Sequence, residues 1–313
     1  MKIIKADDNF QMTNTIITLG KFDGNHIGHR SLFLRAKAVK DEAAGSLSTV
    51  IFTFDINPRQ VLTEKSVSNL YTNAERISIE EAYGIDYVYI WPFTKENMNM
   101  SPEVFVETVL AGRLGVRHIV VGEDFRFGKA RAGGVDTLNA LSGAFGFTVH
   151  AVPKVAYKGE AVSSTRIKEE ILGGNLEDAN FMLGSPFSVT GTVVSGKHLG
   201  KSLGFPTINF DAPEGKILPP NGVYATKTWV EGESFISMSN IGTRPTFEEG
   251  RARNIETNIF DFNRDIYGQK AKVEFYKFIR PERHFDGPDE LIKEIERNRL
   301  SIKEYFKQEA SGK

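Results

Sequence analysis

Hydrophobic positions in the first half of the chain follow two alternating patterns. Short β-branched runs predict strands, and longer amphipathic stretches predict helices at 29–44, 73–83 and 101–115. Strands that alternate with helices need crossover connections, so we expect an α/β domain with a doubly wound parallel sheet. The predicted strands are TIITLG (15–20), STVIFTF (48–54), DYVYIWPF (86–93), HIVVGEDF (118–125) and TVHAVP (148–153).

The pattern changes after a helical stretch at 163–187. Closely spaced strands follow, separated by Gly, Pro and Asn, and they predict a small antiparallel β-barrel. Apolar residues at helical spacing in 289–307 predict a terminal helix. We therefore expect two domains, 1–184 and 185–313. The predicted barrel strands are 188–196, 207–210, 222–230, 234–242, 254–262 and 270–279.

Composition narrows the class of protein. A chain of 313 residues suits two domains, and 40% hydrophobic with 25% charged residues is ordinary for a soluble protein. The net charge of −1 gives no basic field for a nucleic acid, and the absence of cysteine excludes disulfides and thiolate metal sites. No signal-like or bilayer-spanning apolar run is present. We expect a cytoplasmic protein with neither a nucleic-acid nor a membrane partner, and whether it forms a homo-oligomer stays open.

The segment GKFDGNHIGH (20–29) lies between the first predicted strand and a helix. Its glycines permit a tight turn, and His26 and His29 fall on one side of the first helical turn. The amino end of a helix favours a phosphate, so two imidazoles there are suited to a triphosphate and to the charge that develops in nucleotidyl transfer. The alternative is a capped turn with two exposed histidines. The strand–turn–helix context favours the phosphate.

The segment SSTRIK (163–168) places three hydroxyl residues directly before a helix, with Arg166 and Lys168 close by. Hydroxyl groups at this position cap helices. Together with two cations they also suit a phosphate clamp.

The segment GKHLGKSLGFPTINF (196–210) combines a glycine-rich loop with a short strand. The glycines allow close approach to a nucleotide, and Thr207 and Asn209 point to the same side of an extended strand. A hydroxyl and an amide oxygen are hard neutral ligands that suit Mg²⁺. The spacing is not that of a Walker A motif. A Gly/Pro hairpin with a capping Asn is the alternative for PTIN alone.

These segments resemble the bacterial bifunctional riboflavin kinase/FAD synthetase family. The likeness implies an HxGH-type nucleotidyltransferase domain followed by a six-stranded Greek-key barrel. In the first domain it extends to SPEVFVETVL (101–110), VVGEDFRFGKARAGG (120–134) and SSTRI (163–167). In the second it extends to PPNGVYA (219–225), SNIGTRPTF (239–247), IETNIFDF (255–262), DIYG (265–268) and RPERHF (280–285).

For the first domain the resemblance implies adenylylation of FMN to FAD. The FMN phosphate attacks the α-phosphorus of ATP and pyrophosphate leaves, with Mg²⁺ assistance and no covalent enzyme intermediate. His26, His29 and Lys168 carry the catalytic roles, and Asp124, Phe125 and Phe127 lie near FMN. The other implied ATP contacts are Gly20, Phe22, Gly24, Ser164, Thr165 and Arg166.

For the second domain the resemblance implies Mg-ATP-dependent phosphorylation of riboflavin to FMN. Thr207 and Asn209 hold the metal, and Glu256 is the general base for the riboflavin 5′-hydroxyl, a role that fits phosphoryl transfer. Arg280 and Phe285 lie near the flavin. The implied ATP contacts are Gly196, Gly200, Lys201 and Gly204.

Departures from the family pattern leave two alternatives open. The family's Phe-x-Pro-His-Pro segment reads FDINP (54–58) here, with Ile56 and Asn57 in place of Pro and His, and Lys168 replaces an Arg. Lys lacks the bidentate fork of Arg, and loss of one preorganised donor costs about 10²-fold in rate. One alternative is therefore a riboflavin kinase with an impaired first domain. A non-catalytic flavin or nucleotide sensor is the other.

Overall fold

A computed structural model describes residues 1–5, 10–43, 46–55, 68–194, 204–245 and 251–311. The chain forms two compact units, Met1–Ser164 and Thr165–Lys313. The helices Ser164–Gly173 and Leu176–Leu183 fall almost wholly in the second unit. The domain boundary at 184/185 stays a prediction.

The first unit contains a six-stranded sheet whose strand pairs are all parallel, in the order β1-β4-β3-β2-β5-β6. The direction of winding reverses between β2 and β5, which is where open α/β sheets bind ligands, beyond the carboxyl ends of the strands. The strands are β1 (Lys2–Lys5), β2 (Thr15–Leu19), β3 (Ser48–Phe54), β4 (Tyr87–Trp91), β5 (Val116–Gly122) and β6 (Thr148–Val152).

The sheet is covered on both faces, as a doubly wound fold requires. Ile17 and Leu19 of β2 pack in one apolar cluster, whereas Ile16 packs in the other. The predicted fold class is confirmed for this unit. Its helices are Ile27–Glu42, Asn73–Ala82, Lys95–Met98, Pro102–Val104, which continues as a π-helix over Phe105–Arg113, a 3₁₀ turn at Lys129–Arg131, and Val135–Phe145.

Several elements of the first unit were not predicted: the helices Lys95–Met98 and Val135–Phe145, the strand β1 and a short hairpin. Strand β1 adds to the edge of the sheet beside β4, and only Ile4 among its four residues is buried, so its sequence carries no alternating pattern. The hairpin β7 (Ala156–Tyr157) and β8 (Glu160–Ala161) has two residues in each strand, which is too short for a periodicity to appear.

The second unit contains a six-stranded antiparallel sheet in the order β10-β13-β12-β11-β14-β9. Strand β14 returns to lie beside β11 after the meander β11-β12-β13, which is the Greek-key arrangement. The backbone N–H of Val194 donates to the carbonyl of Asn209 at 2.8 Å and joins the two ends of the sheet. The strands are β9 (Phe187–Thr192), β10 (Ile208–Asp211), β11 (Gly222–Val230), β12 (Glu233–Pro245), β13 (Arg251–Ile259) and β14 (Lys270–Arg280).

The terminal helix, Pro288–Ser311, packs against the outside of this sheet through Ile302 and Phe306, which cluster with Ala225 and Phe260. The predicted barrel with a terminal helix is thus confirmed. In the part of the chain that the structure describes, no helix is both long and apolar enough to cross a membrane.

Candidate functional site

The loop 20–26 follows the carboxyl end of β2, at the reversal point of the first sheet. The ring of Phe22 is 1% exposed, and a Cβ at Gly20 would lie 2.8 Å from its Cζ atom. Gly24 has a φ of +93°, a conformation that favours glycine. Both glycines that the sequence singled out are therefore required by the shape of the turn.

His26 and His29 come together at the start of the helix Ile27–Glu42. His26 is its N-cap residue, and its Nδ1 accepts a hydrogen bond from the backbone N–H of His29 at 3.3 Å. The two rings stack with centroids 3.6 Å apart, and the ring of Phe22 meets His29 edge-on. An imidazole that accepts at Nδ1 carries its proton on Nε2 when neutral. The pair thus offers an N–H donor beside the unpaired N–H groups of the first helical turn.

Both histidines are neutral near pH 7 in this structure. Burial lowers the pKa of His26 from 6.5 to about 4, although Asp23 opposes the shift. Burial also lowers the pKa of His29 well below its ordinary value, assisted by His26, Lys21 and Arg76. The histidines therefore meet a phosphate as hydrogen-bond donors and not as fixed cations.

Ser164 reaches the same loop. Its hydroxyl donates to the carbonyl oxygen of Asp23 at 2.7 Å, which places Ser164 beside the turn. Thr165, Arg166 and Lys168 belong to the second unit. Their approach to a bound phosphate stays a prediction.

Asp124, Phe125 and Phe127 follow the carboxyl end of β5. Asp124 is exposed and forms an ion pair with Lys154 at 2.9 Å. The rings of Phe125 and Phe127 stack with centroids 5.6 Å apart, and Phe127 is 9% exposed. Phe125 is half-buried and is the more accessible of the two rings. Their roles toward FMN stay predictions.

Sequence reasoning missed two aromatic residues near this edge of the sheet. Phe54, at the end of β3, and Phe93, after β4, contact each other edge-to-face at 5.2 Å. Both remain partly exposed. Their shared position at the carboxyl ends of neighbouring strands was available from the predicted strand bounds.

Several predicted positions lie outside the described residues. They are Ile56, Asn57, Gly196, Gly200 and Lys201. Gly204 is described, and its φ of +86° is a left-handed conformation that favours glycine.

Thr207, Asn209 and Glu256 meet at one place on the second unit. Strands β10 and β13 pair antiparallel with Asn209 directly opposite Glu256. The hydroxyl of Thr207 donates to Oε1 of Glu256 at 2.8 Å. Asn209 is 3% exposed, while Thr207 and Glu256 are half-buried. The structure thus brings together the two predicted metal ligands and the predicted base.

The donor set fits Mg²⁺. A hydroxyl oxygen and an amide oxygen are hard ligands that suit this ion, and it retains positions for phosphate and water. The proton of the Thr207 hydroxyl is directed to Glu256, which leaves the oxygen lone pairs of Thr207 available to a cation.

Asn258 supports the position of Thr207. Its amide Nδ2 donates to the carbonyl of Pro206 at 2.7 Å, and its side chain is 4% exposed. Because Asn258 lies two residues after Glu256 on β13, both point to the same side of the strand. This spacing was the sequence signal for a fourth residue at the site.

Arg280 and Phe285 lie together at the other predicted flavin position. The Arg280 guanidinium lies 5.5 Å from the ring centre of Phe285, and Arg283 lies 4.6 Å from the same ring. Glu294 of the terminal helix forms ion pairs with Arg280 and Arg283, each at 3.3 Å. The structure therefore joins the end of β14 to the terminal helix through one buried carboxylate.

Comparisons with known proteins agree with this two-part arrangement. A family model described as FAD synthetase matches residues 8–166, and one described as riboflavin kinase matches residues 183–306. Relatives from Listeria monocytogenes and Escherichia coli K12 are both named bifunctional riboflavin kinase/FMN adenylyltransferase. The first is 36% identical over 96% of this chain and 95% of the relative, and the second is 32% identical over 98% of each.

A solved structure from Streptococcus pneumoniae has the same fold along almost the whole chain. It bears the name macrolide-efflux protein, and it superposes with a TM-score of 0.88 at 28% sequence identity. The match covers 96% of this chain and 98% of that one.

Proposed function

Because the chain belongs to the family of bifunctional riboflavin kinase/FMN adenylyltransferases, we propose that it makes FMN from riboflavin and FAD from FMN. The second unit transfers the γ-phosphoryl group of ATP to riboflavin, and the first transfers the AMP group of ATP to FMN. The meeting of Thr207 with Glu256, opposite Asn209, carries the proposal.

Glu256 acts on the riboflavin 5′-hydroxyl in the kinase reaction. Its carboxylate accepts the hydroxyl proton as the oxygen attacks the γ-phosphorus, and ADP leaves with the electrons of the broken P–O bond. Thr207 and Asn209 would hold Mg²⁺, which neutralises phosphate charge when bound. The hydrogen bond from Thr207 keeps the carboxylate of Glu256 oriented before the substrate arrives.

The loop 20–26 binds ATP in the adenylylation reaction. A phosphate oxygen of FMN attacks the α-phosphorus, and pyrophosphate leaves. The N–H groups of His26 and His29 and of the first helical turn stabilise the charge on the phosphates. Thr165, Arg166 and Lys168 close on the phosphates as a clamp.

Flavin contacts come from aromatic residues near each phosphate site. In the first unit Phe125, with Phe127 behind it, offers a ring to the isoalloxazine of FMN, beside Asp124. In the second unit Phe285 and Arg280, which contact each other, bind riboflavin. The net charge of −1 supports these small-molecule partners over nucleic acid, and dependence on ATP supports a cytoplasmic location.

A product assay with the purified full chain tests the proposal. Riboflavin with Mg-ATP should yield FMN and ADP, and FMN with Mg-ATP should yield FAD and pyrophosphate. Formation of FMN without FAD would favour the kinase-only alternative. Flavin binding without either product would favour the sensor.

A further inference from the structure

A buried ion pair lies on the helix Asn73–Ala82, beside the loop 20–26. Arg76 and Glu80 are one turn apart on that helix, with Nε of Arg76 3.5 Å from Oε1 of Glu80. Glu80 is fully buried and Arg76 is 6% exposed. Replacing a buried ion pair with apolar residues is often neutral or stabilising. A contribution to the stability of the folded unit therefore does not by itself explain why this ion pair is present.

Arg76 joins the loop to the sheet. Its NH1 group donates to the carbonyl of Lys21 at 3.0 Å and to the hydroxyl of Thr53, at the end of β3, at 2.7 Å. One guanidinium thus connects its own helix, the strand β3 and Lys21 of the loop.

The same residue also fixes the far end of the loop. The side chain of Asn25 is fully buried, and its Nδ2 donates to the backbone carbonyl of Arg76 at 3.0 Å. Asn25 directly precedes His26, the N-cap residue of the helix that carries His29. The position of Arg76 therefore sets both ends of the segment that leads to the histidine pair.

The backbone of this loop is strained. Phe22 and Asn25 have φ values of +52° and +41°, in the left-handed region that non-glycine residues rarely occupy. Such conformations cost about 1–3 kcal/mol each and persist where surrounding contacts impose them, often at functional sites. The contacts of Arg76 with Lys21 and Asn25 impose them here, and a hydrogen bond from the Leu70 N–H to Asp23 adds a third restraint.

We propose that Arg76, with its charge balanced by Glu80, is a positioning residue for nucleotidyl transfer. It does not touch ATP. Its guanidinium holds Lys21 and its backbone carbonyl holds Asn25, so that His26, His29 and the first-turn N–H groups keep the arrangement that binds phosphates. This inference rests on the adenylylation activity proposed above.

Two variants separate positioning from simple stabilisation. In Arg76→Met, Glu80 loses its partner, so the first unit should become less stable and FAD formation should fall. In Arg76→Met/Glu80→Leu no buried charge is left, so stability should recover. FAD formation should stay low in the double variant, by about 10²-fold in kcat/KM for ATP, the scale expected for a small misplacement of reacting groups.

Riboflavin phosphorylation provides an internal control, because it belongs to the other unit and should stay at the wild-type rate in both variants. Lys40→Met provides a matched ion-pair control. It breaks the 2.5 Å ion pair between Lys40 and Asp86. Lys40 lies near the carboxyl end of the helix Ile27–Glu42, opposite the end that carries His29. This change should lower stability and leave the FAD kinetics unchanged.

Hydrogen exchange of the amides in 20–30 gives a readout that does not depend on activity. Exchange there should be faster in Arg76→Met/Glu80→Leu than in the wild type, with the rest of the unit unchanged. Wild-type FAD kinetics in the double variant, or unchanged exchange, would overturn the inference. If the wild type makes no FAD, the proposed function fails, and the exchange measurement still decides the role of Arg76.

Discussion

The ring of Phe210 lies directly against the backbone of Gly191. A Cβ at position 191 would come within 2.5 Å of Cδ2 of Phe210, whose side chain is 1% exposed. Gly191 is on β9 and Phe210 is on β10, at the two ends of the second sheet. Because Phe210 directly follows Asn209, the contact between the two end strands of the barrel also helps to fix the position of a proposed metal ligand.

We therefore expect Gly191→Ala to affect both stability and kinase activity. The added methyl group must displace the buried ring, and overpacking of this kind costs about 1–3 kcal/mol. Displacement of Phe210 shifts Asn209, so the KM for Mg-ATP should rise in riboflavin phosphorylation. Urea unfolding and initial rates measure the two effects. Gly287→Ala, where a Cβ meets no atom within 4 Å, is the control; equal behaviour of the two variants would contradict the prediction.

Glu256→Gln should abolish most riboflavin phosphorylation. The amide accepts the Thr207 hydrogen bond but cannot take up the 5′-hydroxyl proton, and loss of a general base lowers kcat by about 10²–10⁴-fold. FAD formation from FMN should be unchanged, since it belongs to the other unit. Chromatographic quantification of FMN and FAD checks both outcomes. Glu231→Gln, which changes an exposed carboxylate paired with Arg264, should leave both rates intact.

The first unit should lose stability as the pH falls from 6.5 toward 4. The unfolded chain binds a proton at His26 near pH 6.5, whereas the folded chain resists it until about pH 4. The unfolded state therefore gains protons first, and the shift corresponds to about 3 kcal/mol across this window. Above pH 6.5 the ring is neutral in both states and the effect is absent.

His26→Asn tests this pH dependence, because Asn still caps a helix but does not titrate. Its unfolding free energy should fall less between pH 6.5 and 4 than that of the wild type. Trp91 fluorescence, in a Trp229→Phe background, reports on the first unit alone, since the chain has two tryptophans. Identical slopes for the two proteins would exclude His26 as the source.

A row of buried hydroxyl groups crosses the second sheet. Ser239 contacts Thr226 at 2.9 Å and Thr257 at 2.8 Å, and Ser237 contacts Thr226 and Thr228 in the same way. All five residues are fully buried. Ser239→Ala should therefore destabilise this unit by about 1–3 kcal/mol, because Thr257 and Thr226 lose a buried partner.

Urea unfolding followed by Trp229 fluorescence, in a Trp91→Phe background, measures this cost. Ser234→Ala changes an exposed hydroxyl on the same strand and should have little effect. If Ser239→Ala left the free energy of unfolding unchanged, the hydroxyl group of Ser239 would contribute nothing to stability.

Much of the fold could be predicted because its signals are local. Strands β3 and β11 have the predicted bounds, since each is a continuous apolar or alternating run between turn residues. Strand β1 could not be predicted, because its place depends on the edge of β4 and not on its own pattern. The row of buried hydroxyl groups could not be predicted either, since Thr226 and Ser239 have the polar character of surface residues on an alternating strand.

By itself, the sequence determined most of the helices and strands, the two-part organisation and the candidate reactive residues. Turn geometry, helix capping and periodicity act over a few residues and can be read along the chain. Only the tertiary structure decided that Arg76 holds Lys21 and Asn25, and that Asn209 lies opposite Glu256. Such contacts depend on strand register and on which faces become buried, and these are set when distant segments pack together.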